Sequence, residues 1–216
     1  MAIVSPSILS ADFANLERDI NKIKNAGAQY VHVDVMDGQF VKNITIGAPV
    51  VKSIRKCTNL VLDVHLMITQ PERYIDDFIN AGSDIITFHL ESTDKADEII
   101  EKIKSAGIKV GITIKPNTSV EDTYKYLDRV DMVLLMSVEP GFGGQKYIES
   151  TNEKIIALRK EILKTGRDID IEIDGGITEE NVSEVVKKGV NVIVAGSAIF
   201  NSKDMVKTVS YMKNLV

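Results

Sequence analysis

Apolar and polar positions along this chain repeat one unit. A short run rich in Val and Ile is followed by a longer stretch whose apolar residues fall at helical spacing, and the cycle then starts again. The short runs predict strands over residues 3–9, 30–35, 60–67, 84–89, 109–114, 132–138, 169–174 and 192–195. The longer stretches between them predict helices, among them 15–25, 72–81, 94–105, 153–164 and 179–188. Gly27, Gly82, Gly107 and Gly189 stand where helices should stop and the next strand begins. Strands alternating with helices imply a parallel sheet with helices outside. Eight such units imply closure into a (β/α)8 barrel, a TIM barrel of the phosphate-binding type, as a single α/β domain over residues 1–216. The competing arrangement is an open doubly wound sheet. Its dinucleotide turn should follow the first strand, but residues 7–13 contain no glycine. In a barrel, chemistry gathers at the C-terminal ends of the strands, and candidates are judged by that position.

Alternation within the runs separates two faces. His32 and Asp34 alternate with Val31, Val33 and Val35. Asp63, His65 and Met67 oppose Val64 and Leu66, and Glu172 and Asp174 oppose Ile171 and Ile173. The aliphatic sets suit the helix-facing side, so the polar sets should point into the barrel. Burying so many ionisable groups is costly unless they pair or bind a metal. His32, Asp34, His65 and Asp174 offer two imidazoles and two carboxylates from three strands, a donor set for one divalent cation: Zn²⁺, Fe²⁺, Mn²⁺ or Co²⁺. Asp63 and Glu172 lie one layer deeper, where they can hydrogen-bond the ligand imidazoles. Any one of these histidines alone would be read as a satisfied core group; four donors on a common rim reverse that reading. The third histidine, His89, has no partner on its own strand and is expected beside the metal or in the core rather than on it.

Glycine-rich segments follow the last three strands. They are Gly141-Phe142-Gly143-Gly144 within Pro140–Gln145, then Gly175-Gly176, then Gly196-Ser197. Each alone is an ordinary tight turn. Together, in consecutive C-terminal loops, they imply a phosphate site in which backbone N–H groups approach the oxygens. Met36, Met67 and Met136 fall near strand ends and are expected as an apolar collar. Lys115 invites a Schiff-base reading, but Lys115-Pro116 looks like the exit of a strand rather than a buried amine.

Composition narrows the partners. A net charge of −5 argues against nucleic acid as the main partner. One cysteine, Cys57, permits no internal disulfide and fits a reducing compartment. The start, MAIVSPSILSADF, has no basic segment and no long apolar run, so it does not read as a signal peptide. No stretch approaches the roughly 20 apolar residues of a membrane span. A cytoplasmic location, no membrane partner and a homo-oligomer are expected.

With those residues in view, the chain resembles the ribulose-phosphate 3-epimerase family along nearly its whole length. The segments that carry the resemblance are SPSILSADFANL (5–16), VHVDVMDGQFVKNITIGAPVV (31–51), LDVHLMI (62–68), ITFHLE (86–91), LLMSVEPGFGGQ (134–145), EIDGGI (172–177) and VAGSAIF (194–200). The resemblance implies metal ligands at His32, Asp34, His65 and Asp174, and acid–base roles for Asp34 and Asp174. It implies substrate contacts from Ser7, His65, Gly141–Gly144, Gly175, Gly176, Gly196 and Ser197. The activity it implies is interconversion of D-ribulose 5-phosphate and D-xylulose 5-phosphate through an enediolate. Gln39, Lys42 and Glu139 depart from the residues usual in the family, which bears on loop closure rather than on the reaction.

The chemistry supports that implication. Inverting a carbon next to a ketone needs a proton removed from one face and returned to the other, and strands two and seven can bring Asp34 and Asp174 to opposite faces. An allulose-6-phosphate 3-epimerase would keep the same metal and acids, though Asp174-Gly175-Gly176 and Thr45-Ile46-Gly47 look more like the pentose enzyme. Related decarboxylases carry Asp-x-Lys-x-x-Asp at strand two, where this chain has Asp34-Val35-Met36-Asp37. A non-catalytic phosphosugar- or metal-binding barrel would not need two opposed acids.

Overall fold

A computed structural model describes residues 1–215. The strands are β1 (Ile3–Pro6), β2 (Tyr30–Met36), β3 (Val61–Met67), β4 (Ile85–His89), β5 (Lys109–Ile114), β6 (Met132–Met136), β7 (Asp170–Asp174) and β8 (Val192–Ala195). All pair in parallel in the order β1-β8-β7-β6-β5-β4-β3-β2. The ring closes between β2 and β1 through a parallel bridge from Ser7 to His32. Gln29 reinforces that seam: its backbone N–H donates to the Val4 carbonyl, and its Oε1 accepts from the Val4 N–H at 3.1 Å. The helices are α1 (Leu16–Asn25), α2 (Ala48–Cys57), α3 (Ile75–Ala81), α4 (Ala96–Ser105), α5 (Thr151–Thr165), α6 (Val182–Lys188), α7 (Ser197–Phe200) and α8 (Met205–Lys213). The barrel read from the sequence is the barrel observed.

Differences from the sequence reading lie at element ends. The first strand stops at Pro6 rather than residue 9, because Ser7 caps a 3-10 turn over Ile8–Ser10 by accepting from the Leu9 N–H at 3.2 Å. The sixth stops at Met136, two residues early, where the chain enters the loop leading to its glycine-rich segment. The expected helix 72–81 divides into a 3-10 turn at Pro71–Arg73 and α3. Between β5 and β6, where the sequence reading named no helix, a 3-10 helix spans Val120–Tyr126. Gly82 ends α3 at φ +92°, a left-handed conformation that a side chain would strain.

Strand alternation distributes the core as expected. Val31, Val33, Val35, Leu62, Val64, Leu66, Ile171 and Ile173 belong to the shell between sheet and helices. Inside the barrel, Tyr30, Ile85, Met132 and Val192 from alternate strands plug the N-terminal end. Above them Ser5, Asp63, Gly111 and Glu172 come from the four odd strands, and a Cβ on Gly111 would collide with Thr87 Oγ1. The interior therefore turns from apolar to polar as it rises toward the C-terminal rim. Among the described residues, no helix is long and apolar enough to cross a membrane.

Outside the barrel, Asp19 of α1 is nearly buried. It accepts from Arg18 Nε at 2.9 Å, Lys22 Nζ at 2.8 Å and the Asp12 N–H at 3.0 Å. The Arg18 hydrogen bond, followed by that of Lys22, holds its carboxyl well below the usual carboxylate range against the opposing effect of burial. A carboxyl depressed on folding stabilises the fold at pH above its unfolded value of about 3.9, and that contribution fades as pH falls further. Arg18 and Lys22 are half exposed, which limits the gain. Asp19→Asn is expected to cost about 1 kcal/mol in denaturant unfolding at neutral pH, with the gap to wild type shrinking below about pH 4.

Candidate active site

The C-terminal rim places four side chains around one point. His32 and Asp34 rise from β2, His65 from β3 and Asp174 from β7, each offering one donor atom, all within 4.8 Å of one another. His32 Nε2 lies 3.3 Å from Asp34 Oδ1 and 4.0 Å from Asp174 Oδ2. His65 Nδ1 lies 3.2 Å from Asp34 Oδ1 and 4.0 Å from Asp174 Oδ2. Strand register accounts for the convergence, because Asp34 sits directly beside His65 in the ladder. Asp34 is fixed further by Ser7, whose hydroxyl donates to Oδ2 at 2.6 Å.

The layer below orients the upper one. His32 Nδ1 is 2.7 Å from Asp63 Oδ2 and 3.6 Å from Glu172 Oε1, and Ser5 Oγ donates to Asp63 Oδ2 at 2.9 Å. With Nδ1 so engaged, His32 Nε2 is left fully buried, without a hydrogen-bond partner among the described residues, and faces the donor cluster. An orphaned imidazole nitrogen facing two carboxylates and a second imidazole is what a cation-binding site requires. The donor set therefore fits one divalent ion.

Charge is unevenly spread across the cluster. Burial works against ionising Asp34, yet His32 and His65 outweigh it and hold that carboxyl well below its ordinary range. Burial pushes Asp174 up to about 6, with the negative charge of Asp34 adding to the effect. Burial, then the charge of Asp63, raises Glu172 well above the usual range. Burial opposes protonation of His32, but Asp34 and Asp63 reverse the balance and raise it well above its ordinary value. Two carboxyls whose environments push them apart are suited to acid and base roles.

Above the cluster opens a cavity of about 460 Å³, in the size range of small-ligand sites. Asp34 and Asp174 form part of its lining, with Ser7, the methionines Met36, Met67 and Met136, Gly141–Gly144 including Phe142, Gly175, Gly176, Gly196 and Ser197. His32 and His65 lie beneath that lining, fully buried. The structure puts His65 in the donor cluster, beneath the side chains that line the cavity. Gln39, Lys42 and Glu139 are exposed. Lys115 lies at the strand exit, its Nζ 3.9 Å from the centre of the Phe40 ring.

The model of the ribulose-phosphate 3-epimerase family matches residues 3–200. The chain belongs to that family. It is 49% identical to the chloroplastic ribulose-5-phosphate-3-epimerase of Arabidopsis thaliana, over 98% of this chain and 76% of that one. It is 45% identical to ribulose-phosphate 3-epimerase of Bacillus subtilis, over 99% of both chains. The corresponding figures for the Escherichia coli K12 protein of the same name are 43%, 98% and 95%. The chain is accordingly an isomerase acting on carbohydrates. Among solved structures, 3-hexulose-6-phosphate synthase from Salmonella typhimurium superposes with a TM-score of 0.73 at 18% identity, over 100% of this chain and 98% of that one. Likeness at that identity reports the shared barrel.

Residues not singled out in the sequence also shape the cavity. Gln145 Nε2 donates to the Glu139 and Phe142 carbonyls at 2.6 and 2.8 Å, stapling the loop after β6. Asn181 Nδ2 donates to the Gly176 carbonyl at 2.9 Å, and its Oδ1 accepts from the Thr178 N–H, stapling the loop after β7. Side-chain amides just beyond glycine-rich segments were the available signal.

The glycines differ in kind. A Cβ at Gly176 would collide with the Tyr147 backbone, at φ +65°, so its space belongs to a loop–loop contact before it belongs to a ligand. Gly143 is free of that constraint: its nearest neighbours for a Cβ are Ser10 Oγ at 3.9 Å and Leu9 Cδ2 at 4.0 Å. Gly143→Ala is expected to leave Tm unchanged while raising KM about tenfold, because the added methyl would hold an incoming phosphate away from the backbone N–H groups of this loop. Steady-state kinetics beside a melting curve separates the two effects.

Proposed function

We propose that this chain interconverts D-ribulose 5-phosphate and D-xylulose 5-phosphate, using one divalent cation and two opposed aspartates. The observation that carries the reading is the pair Asp34 and Asp174, meeting above two buried imidazoles at the floor of one cavity. β2 and β7 are separated by β1 and β8 around the ring. Their carboxylates therefore approach a ligand from different sides. One removes the C3 proton from its face as a base, leaving an enediolate; the other, protonated, delivers a proton to the opposite face. A single base would return the proton to the face it came from. The roles exchange when the reaction runs backward, and general acid–base help of this kind is worth about 10²–10⁴-fold.

His32, Asp34, His65 and Asp174 would hold the cation. When bound, it supplies Lewis acidity that offsets negative charge building on the ketose oxygens. Ser7 holds Asp34 Oδ2, so that Oδ1 faces the imidazoles. Backbone N–H groups of Gly141–Gly144, Gly175-Gly176 and Gly196-Ser197 would take the phosphate, which anchors the sugar with C3 near the aspartates. Met36, Met67 and Met136 line the wall between and exclude water from the enediolate.

Purified protein, stripped with a chelator and reloaded with single divalent metals, should be assayed with ribulose 5-phosphate, xylulose 5-phosphate and allulose 6-phosphate. The pentulose phosphates should interconvert only in reloaded protein, and faster than the hexulose phosphate. Undiminished turnover after complete metal removal would contradict the metal role, and preference for the hexulose would contradict the substrate.

A further inference from the structure

Among the described residues β4 and β5 give the cavity no lining residue, yet His89 at the end of β4 and the loops after both strands hold a chain of polar contacts that reaches the donor cluster from behind. His65 Nε2 lies 2.9 Å from His89 Nε2, both side chains fully buried. His89 Nδ1 lies 3.3 Å from Glu91 Oε2. Glu91 is itself fixed, its Oε1 accepting from the Lys115 N–H at 2.7 Å and from the Thr118 hydroxyl. The Phe40 ring packs on His89 with centroids 4.7 Å apart. We propose that His89 and Glu91 are positioning residues that set the tautomer of His65 and aim its Nδ1 lone pair at the cation.

The inference rests on the proposed metal role of His65, and the proton positions follow from hydrogen-bond logic. A ligand nitrogen must be bare, so His65 Nδ1, the atom facing Asp34 and Asp174, carries no hydrogen. Its proton then sits on Nε2, and the group in reach is His89 Nε2. That nitrogen must accept, so the proton of His89 sits on Nδ1. A carboxylate accepts and does not donate, and Glu91 Oε2 is where that proton points. Each link has one donor and one acceptor. Reversing the chain would place the His65 proton between Nδ1 and the cation and turn the His89 Nδ1 lone pair toward a carboxylate. His32 obeys the same rule through Asp63, so both imidazoles are anchored by carboxylates, one directly and one through a second imidazole.

Three variants test the inference. His89→Phe keeps volume beside Phe40 and removes the acceptor. His89→Gln keeps an oxygen acceptor near the Nε2 position. His65→Ala removes the ligand itself. Zinc affinity is measured by chelator competition, folding by thermal melting, and the tautomer by ¹⁵N–¹H correlation spectra of the imidazoles in zinc-loaded protein. His89→Phe should bind zinc about 10–100-fold more weakly than wild type, and His89→Gln should recover most of that loss. The wild-type spectrum should show His65 protonated on Nε2. Equal zinc affinity in His89→Phe and wild type, equal losses in the Phe and Gln variants at matched Tm, or His65 protonated on Nδ1 would each overturn the proposal. Zinc affinity unchanged in His65→Ala would sink the metal reading itself and this inference with it. Weakened binding in His65→Ala with none in His89→Phe would sink the inference alone.

Discussion

Asparagine in place of Asp174 is expected to lower the epimerisation rate by about 10²–10⁴-fold, and the same loss is expected of Asp34→Asn. Either change keeps an oxygen that can face the cation while removing a group able to take a proton. The two variants should differ in collateral damage. Asp34 accepts from Ser7 and approaches both imidazoles, so its replacement disturbs the Ser7 contact and the 3-10 turn that Ser7 caps. Among the described residues the Asp174 carboxylate makes no comparable short side-chain hydrogen bond; the His32 and His65 rings stand 4.0 Å from it. Asp174→Asn should therefore melt close to wild type, and its lost turnover can be read as lost proton transfer. Rates within a few-fold of wild type in Asp174→Asn would remove it from the reaction.

The second large effect is on the metal. His32→Asn places an amide N–H close to where His32 Nδ1 meets Asp63 Oδ2 at 2.7 Å, and deletes the Nε2 donor. A four-ligand zinc site is worth about 10–16 kcal/mol. Losing one donor of four removes roughly a quarter of that, or about 10²–10³-fold in affinity. The smaller side chain leaves Asp63 partnered by Ser5 and the new amide, so the fold should survive where His32→Ala would leave the buried Asp63 charge beside a void. Chelator competition and elemental analysis check the prediction; full metal content at wild-type affinity would place the ion elsewhere.

Much of the architecture was legible because a barrel strand has two faces with opposite demands. Val31, Val33 and Val35 against His32 and Asp34 could be sorted by period two alone, and so could Ile171 and Ile173 against Glu172 and Asp174. Sorting by strand also placed the four donors on one rim, because register carries Asp34 to the level of His65. Local turn chemistry was harder to see. Ser7 ends β1 by capping a turn, and Pro71 opens a 3-10 turn ahead of α3; both are decided by one hydrogen bond or one ring. Less legible still were contacts that join distant loops. The packing of the Tyr147 backbone against Gly176, and the Lys115 N–H and Thr118 hydroxyl that fix Glu91 beside His89, are of this kind. Pairings of that range carry no period in the sequence.

The division of labour between the aspartates is the core of the mechanism, and solvent-isotope exchange addresses it most directly. Asp34→Asn and Asp174→Asn, each verified to carry its metal, are incubated in deuterium oxide with ribulose 5-phosphate and, separately, xylulose 5-phosphate. Deuterium at C3 is then followed by NMR. On the proposed two-base reading each aspartate serves one face, so each variant should still exchange the C3 proton of one epimer and fail with the other, and the two variants should show opposite preferences. If both metal-replete variants exchange both epimers at similar rates, the two-base account is wrong.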